Sequence, residues 1–282
     1  AAEHADYPIK WSFEISPWKD DSKELLNWLY WIVAQKGQLV GFNFLNFDGP
    51  ILQYFVKMQG HATAVDLYQL AMQIINSQDE DKFANLIYPS DRFCTWICLW
   101  KLHHFDNKAK TTSLKALEFN MRLDSVEDLP FPVGTVLTHE QIEVLHDYNA
   151  HDIRATKTFY LETLPMIEFR EQLGVKHGKD FLNHNDTKIG SEIFQIALEK
   201  VGISCYEYGP DGRQPRQTKR PSIALAECIP AWVRFDHPEF QRILMHFNTT
   251  TITETKGAFK DLVAYCGGLP FYFGTGGIHA SV

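Results

Sequence analysis

The sequence predicts a protein of the α/β class, in which a sheet is flanked by helices over about the first 165 residues. Short apolar runs typical of buried strands alternate there with segments whose apolar residues recur every three or four positions, the period of one helix face. After about residue 170 the pattern changes. Asp186-Thr187 predicts the start of a helix that ends at Leu198, and the chain after a loop over 209–221 predicts short mixed strands and one helix. We therefore predict two domains, residues 1–170 and residues 171–282, of which the second has an α+β character.

The predicted elements follow one another in order along the first domain. Apolar residues at every second position from Ile9 to Ile15 predict a strand with one buried face. An apolar stripe over residues 25–33 then predicts a helix that ends at Gly37. The remaining predictions are a strand over 39–42, a helix over 65–75, a strand over 95–102, a helix that begins at Thr112 or Ser113 and ends at Phe119, and a long helix over 140–162.

The composition limits the classes of function. The hydrophobic content of 45% supports a real core, and no apolar run reaches the roughly 18 residues of a membrane span. The net charge of −8 means that any nucleic-acid partner must be held by local patches rather than by the bulk charge. The five cysteines are widely spread and form no zinc motif, so we predict reduced thiols in a cytoplasmic protein that has no membrane partner.

The stretch over residues 39–52 places polar groups where a strand gives way to a helix. Asn43 follows the predicted strand, and Asp48-Gly49-Pro50 indicates a turn into the next helix. In an open α/β sheet, ligands bind at this edge. The alternative is that Asp48 only caps the helix.

The long helix carries a second candidate carboxylate, Asp152, with a phenol one turn before it at Tyr148. Both belong to a stripe with spacings of three and four, formed by Leu145, Tyr148, Asp152, Ala155 and Phe159. A buried aspartate is costly unless something pairs with it. The alternative is that both polar residues lie at the edge of the stripe and face water. His151 falls off the stripe, which predicts a surface position.

Two aspartates on separate elements are suited to divalent cations, because carboxylate oxygens are preferred ligands of Mg²⁺ and Mn²⁺. Two such ions about 4 Å apart activate water and stabilise the leaving oxygen in phosphodiester hydrolysis. We therefore predict a site for two Mg²⁺ or Mn²⁺ ions at Asp48 and Asp152, with Tyr148 orienting the attacking water.

These residues fall into motifs that resemble a known family. Asn43-x-x-x-Phe47-Asp48 resembles the second exonuclease motif of family B DNA polymerases, and Tyr148-x-x-x-Asp152 resembles their third motif, of the DEDD type with a tyrosine. The resemblance is strongest to the polymerases of bacteriophages. It extends over residues 8–165.

Two further stretches resemble the same family. Ser113-Leu114-Lys115-Ala116-Leu117 is similar to the motif that contacts single-stranded DNA. Residues 273–279 are similar to the glycine-rich junction between the exonuclease and polymerase regions, although the usual tyrosine is absent. The resemblance implies that residues 171–282 form a linker that leads to the polymerase palm.

The resemblance also implies a fold and a role for each residue. The fold is an RNase H-like exonuclease domain with a mixed sheet, and the activity is proofreading of the single-stranded 3′ end of a primer–template by a monomeric enzyme. For a phage protein the location is the host cytoplasm. Asp48 and Asp152 hold metal, Tyr148 positions water, and the single strand is held by Asn43, Phe47, Ser113 and Leu114.

One departure from the family is important. Its first motif, Asp-x-Glu, supplies two more metal ligands, and no aspartate in this chain has a glutamate two positions later. Because the strand over 9–15 would follow that motif, we expect the motif upstream of Ala1 and predict that this chain alone is inactive.

Two alternative functions and the role of one loop remain open from the sequence. The chain is also consistent with a stand-alone DEDD exonuclease acting on RNA or DNA, or with a degenerate nucleic-acid-binding domain that lacks the first motif. A basic loop over 213–220, which carries Arg213, Arg216, Lys219 and Arg220, either contacts phosphates or is a solvated linker.

Overall fold

A pair of parallel strands organises the first part of the chain. In the computed structural model, β3 (Gln38–Gly41) pairs with β4 (Thr95–Cys98), in a register that runs from Gln38 opposite Thr95 to Gly41 opposite Cys98. Both strands therefore end at the same edge. The structure describes residues 1–77, 85–210, 212–216, 220–254, 256–274 and 277–280.

Helices make up most of the first compact unit, Ala1–Lys200. They are α1 (Ser22–Ala34), α2 (Asp48–Lys57), α3 (Ala64–Ser77), α4 (Leu99–Leu102), α5 (Leu114–Asn120), α6 (His139–His177) and α7 (Asp186–Lys200). A short antiparallel pair, β1 (Ala2–Glu3) and β2 (Lys10–Trp11), precedes them, and a 3₁₀ turn spans Pro89–Asp91.

Apolar clusters cover both faces of the β3–β4 pair, because successive side chains of a strand point in opposite directions. On one face, Ile97 packs with Leu117 of α5 and Phe159 of α6. On the other face, Trp96 packs with Phe44, and this cluster shares half-buried residues with the α1–α2 core. Helices therefore fix the strand pair from both sides, and its carboxyl edge is held in place.

The second compact unit, Val201–Val282, is built from short antiparallel strands and one helix. Its described elements are β5 (Tyr206–Gly209), β6 (Gly212–Pro215), β7 (Ile223–Ala224), α8 (Pro238–Thr249), β8 (Thr251–Ile252), β9 (Val263–Cys266), β10 (Leu269–Gly274) and β11 (Gly277–Ala280). A 3₁₀ turn spans Leu225–Glu227. The core of this unit is formed by Ile243, Ala264 and Phe273.

The predicted strand over 9–15 is wrong for most of its length. Only Lys10–Trp11 is a strand, paired with β1, and Ile15 makes an isolated bridge to Asp20. The side chain of Asp21 accepts a hydrogen bond from the backbone N–H of Glu14 at 2.9 Å. A local hydrogen bond to a side chain thus takes the place of a backbone hydrogen bond to a neighbouring strand. Aspartate side chains commonly compete with sheet formation in this way.

Two other element predictions differ from the structure at their ends. The apolar run over 95–102 is a strand only as far as Cys98 and then forms α4, since an apolar run does not distinguish a buried strand from a buried helical turn. The long helix α6 passes through Pro165 and ends at Gly178, whose φ of 65° is left-handed. Packing of Ile167 into the core favours helix on both sides of the proline.

The described part of the chain is mixed α/β, and its strands form several small separate sheets. The compact units divide after Lys200 rather than at the predicted 170/171, because α6 and α7 belong to the first unit. Lys219 of the basic loop and two residues of the glycine-rich stretch, Thr275 and Gly276, lie outside the described residues. No helix within the described ranges is both long and apolar enough to span a membrane.

Close packing at Gly49 gives a stability prediction next to the candidate site. A Cβ atom there would lie 2.8 Å from the carbonyl oxygen of Phe44 and 2.8 Å from the ring of Trp96. We expect Gly49→Ala to lower the free energy of unfolding by about 1–3 kcal/mol, as overpacking does. Gly190→Ala in α7, where nothing lies within 4 Å, should instead raise it by about 0.5–1 kcal/mol. Urea unfolding measures both, and equal effects would contradict the close contact.

Candidate functional site

The turn between β3 and α2 carries three of the predicted site residues. Asn43 has a left-handed φ of 56°, a conformation that asparagine tolerates better than most residues, and its side-chain oxygen accepts from Asn46 Nδ2 at 2.7 Å. Helix α2 begins with Asp48 itself, after Phe47 at the cap position, and no side chain caps this end. The alternative that Asp48 serves as the N-cap is therefore wrong.

Asp48 is exposed at the first position of α2. Its side chain remains accessible to solvent, while protein atoms surround it closely enough to weaken its hydration. This burial raises the pKa of Asp48 to about 6 from an ordinary value of 3.8. A backbone hydrogen bond and the α-ammonium of Ala1 oppose the increase, and the charge of Asp152 adds to it.

The amino terminus lies close to Asp48 and to helix α6. The α-ammonium of Ala1 donates to Asn149 Oδ1 of α6 at 2.8 Å, and desolvation lowers its pKa although Asp48 favours the charge. Strand β1 continues along α6, where Lys157 Nζ donates to Glu3 Oε1 and to the His4 carbonyl, both at 2.8 Å. These contacts hold the start of the chain against the helix that carries Asp152.

Tyr148 and Asp152 interact with each other on α6. Burial raises the pKa of Asp152, the hydroxyl of Tyr148 partly offsets this increase, and the charge of Glu118 adds to it. Burial and the neighbouring Asp152 carboxylate raise the pKa of Tyr148 to about 12. The phenol therefore stays protonated at neutral pH, so it can donate a hydrogen bond but cannot act as a base.

The two residues of the predicted single-strand motif begin helix α5. The hydroxyl of Ser113 accepts from the backbone N–H of Ala116 at 3.2 Å and so caps the helix, and its side chain is exposed. Leu114 is the first residue of the helix and is half-buried. Phe47, in the β3–α2 turn, is also half-buried, so part of its ring is available to stack on a base.

Two functional candidates were missed by the sequence prediction. Glu118 is fully buried, and its Oε1 lies 3.6 Å from Nε2 of His151. The prediction that His151 lies at the surface is wrong, since only 6% of it is exposed. A usable signal for Glu118 exists in the sequence, because it lies four residues after Leu114 and directly follows Leu117 on the buried side of a short helix.

The structure brings the candidate carboxylates into one region. Asp48 and Asp152, from different elements, are close enough for their charges to interact, and Glu118 influences both Asp152 and Tyr148. Within the described ranges, no three His, Cys, Asp or Glu side chains converge in a geometry that would hold a metal ion. The described residues thus provide two carboxylates whose charges interact, with a phenol beside one of them, and no complete metal-binding group.

Comparison of the chain with family models, with curated proteins and with solved structures found no match in any of the three. The sequence motifs and the chemistry of the groups around Asp48 and Asp152 therefore carry the assignment of a function.

Proposed function

We propose that this chain is the 3′–5′ proofreading exonuclease region of a family B-like, bacteriophage-type DNA polymerase, followed by a segment that leads toward the palm. One observation carries the proposal. The carboxylates of Asp48 and Asp152, which come from two separate motifs, are close enough for their charges to interact. The substrate is the single-stranded 3′ end of a primer–template. The enzyme is monomeric and works in the cytoplasm, which for a phage is that of the host.

The carboxylates present agree with divalent cations. Asp48, which is exposed, and Asp152, which is half-buried, supply the oxygen ligands that suit Mg²⁺ or Mn²⁺. When bound, two such ions activate water and stabilise the leaving oxygen. The proposal requires two further carboxylates, which the resemblance assigns to an Asp-x-Glu motif.

The other predicted site residues have proposed roles that follow from their chemistry. The protonated hydroxyl of Tyr148 donates a hydrogen bond that orients the attacking water or a phosphate oxygen. The partly exposed ring of Phe47 stacks against a terminal base, and Asn43 offers its amide beside it. Ser113 and Leu114 contact the strand from the start of α5.

A nucleic-acid-binding domain without hydrolysis is the second candidate, favoured by the lack of a complete metal-binding group within the described residues. Catalysis separates the two functions, because both predict binding of single strands. The discriminating substrate is a 5′-labelled single-stranded DNA, incubated with Mg²⁺ and, as a control, with a chelator.

We expect the chain of 282 residues alone to degrade this DNA at background rates, because it provides only part of the metal site. A polypeptide that carries the same chain after an Asp-x-Glu strand should shorten the DNA from its 3′ end, and a chelator should stop it. Product length on a denaturing gel measures both. Strong Mg²⁺-dependent digestion by the chain alone would contradict the requirement for further carboxylates, and an inactive longer polypeptide would favour the binding domain.

A further inference from the structure

Glu118 is an unusual residue for the interior of this protein. It is 0% exposed, and neither of its carboxylate oxygens has a hydrogen-bond partner among the described residues. A carboxylate taken out of water without hydrogen bonds is costly unless an opposite charge is close. The group nearest to meeting that need is His151, whose Nε2 lies 3.6 Å from Oε1 of Glu118.

The ring of His151 connects three segments of the chain. Its Nε2 faces Glu118 on α5, and its Nδ1 lies 3.3 Å from Oε1 of Glu127 and 3.5 Å from the hydroxyl of Ser125, both in the segment after α5. His151 itself belongs to α6 and immediately precedes Asp152. The ring of His151 on α6 thus lies between a carboxylate of α5 and a carboxylate of the segment that follows α5.

The position of Glu118 on its helix links this pair to the proposed strand contacts. Ser113 and Leu114 begin α5, and Glu118 lies little more than one turn further along the same helix. A rotation or shift of so short a helix moves all three residues together. Any contact that fixes Glu118 therefore also fixes the residues proposed to hold the single strand.

We propose that Glu118 and His151 form a buried positioning pair that holds the strand-binding start of α5 at a fixed distance and angle from the catalytic turn of α6. This inference rests on the proposed function, since the position it fixes is that of the single-stranded DNA contacts. The pair touches neither substrate nor metal and acts through Ser113, Leu114 and Asp152.

Stability alone does not account for a buried polar pair at this place. Replacing a buried ion pair by apolar residues of similar volume is often neutral or stabilising, whereas a buried polar pair can specify one arrangement of the elements that it joins. The neighbouring apolar residue Leu117 already anchors α5 in the core. The polar pair adds a directional constraint, which matters for a helix that presents a ligand-binding end.

The test compares stability with strand affinity in this chain. The double variant Glu118→Leu/His151→Leu should unfold at the same or a higher urea concentration than the native chain. Its affinity for a labelled oligothymidylate, measured by fluorescence anisotropy at low salt with a chelator, should fall about fivefold, the scale of one lost strand contact. The sign is diagnostic in the single variant Glu118→Gln, because removing a negative charge would by itself favour binding of a polyanion.

Glu162→Gln is the matched control, since it removes an exposed carboxylate from α6 and should change affinity by less than about twofold. If the double variant unfolds too easily, the isosteric Glu118→Gln decides, with weaker binding again expected. If the native chain binds single strands and a folded variant binds them equally tightly, the positioning role of the pair is refuted and the proposed function is not. A native chain that does not bind single strands overturns both.

Discussion

Asp152→Ala should nearly abolish degradation of a primer 3′ end by a polymerase that contains this chain, while primer extension continues. Asp152 is one of the two carboxylates that the proposed mechanism uses, so its loss removes an anionic oxygen from the proposed metal site. We expect a decrease of about a thousandfold, equivalent to ~4 kcal/mol of activation free energy. Degradation is measured without nucleotides and extension with them.

The neighbouring residues provide graded controls for this result. Asp147→Ala removes an exposed carboxylate from the same helix and should leave both activities unchanged. Tyr148→Phe keeps the ring and loses only the donor that orients water, so a smaller loss of about 10–100-fold is expected. Parallel loss of degradation and extension with early unfolding of Asp152→Ala would show instead that Asp152 is a structural residue.

Asp48→Asn should also abolish degradation, but at neutral pH it should make the protein more stable. The pKa of Asp48 is about 6 in the folded state against an ordinary value of 3.8, so the folded protein holds this proton more tightly than the unfolded chain. Stability from this group is therefore present below pH 4 and is lost as the pH rises through 6. Asparagine cannot ionise and avoids that loss.

The measurement is the free energy of unfolding of both proteins across pH 4–7. The advantage of Asp48→Asn should be small at pH 4 and largest near pH 7. Asp66→Asn is a control of opposite sign, because the hydroxyl and the N–H of Thr63 donate to Asp66 and lower its pKa. That variant should be less stable than the native chain at pH 7. A pH-independent difference at Asp48 would contradict the burial of its charge.

Features encoded by neighbouring residues were accessible from the sequence. The run over 39–42, the turn with Gly49 and Pro50, and the serine cap of α5 depend on contacts within a few positions. For this reason the site residues Asp48, Tyr148 and Asp152 could be proposed before any geometry was known.

Features set by contacts outside the periodic pattern were not accessible. The strand over 9–15 was lost to a hydrogen bond from the Glu14 backbone to Asp21, which no periodicity reveals. The burial of His151 depends on Glu118 and Glu127, which come from other segments. In the same way, the length of α6 beyond Pro165 is determined by the core into which Ile167 packs.

The continuous helix α6 has a consequence for how this protein tolerates insertions and deletions. Arg170 follows Asp152 by 18 positions (170 − 152), which is five turns, and its buried guanidinium bonds to the His184 carbonyl at 2.9 Å and to Asp186 at 2.7 Å. One residue gained or lost between them would rotate this anchor by about 100° relative to Asp152 and shift it by about 1.5 Å. Length changes should therefore be accepted in the part of the loop between Glu127 and Thr138, whereas the 18-residue interval within α6 should resist them.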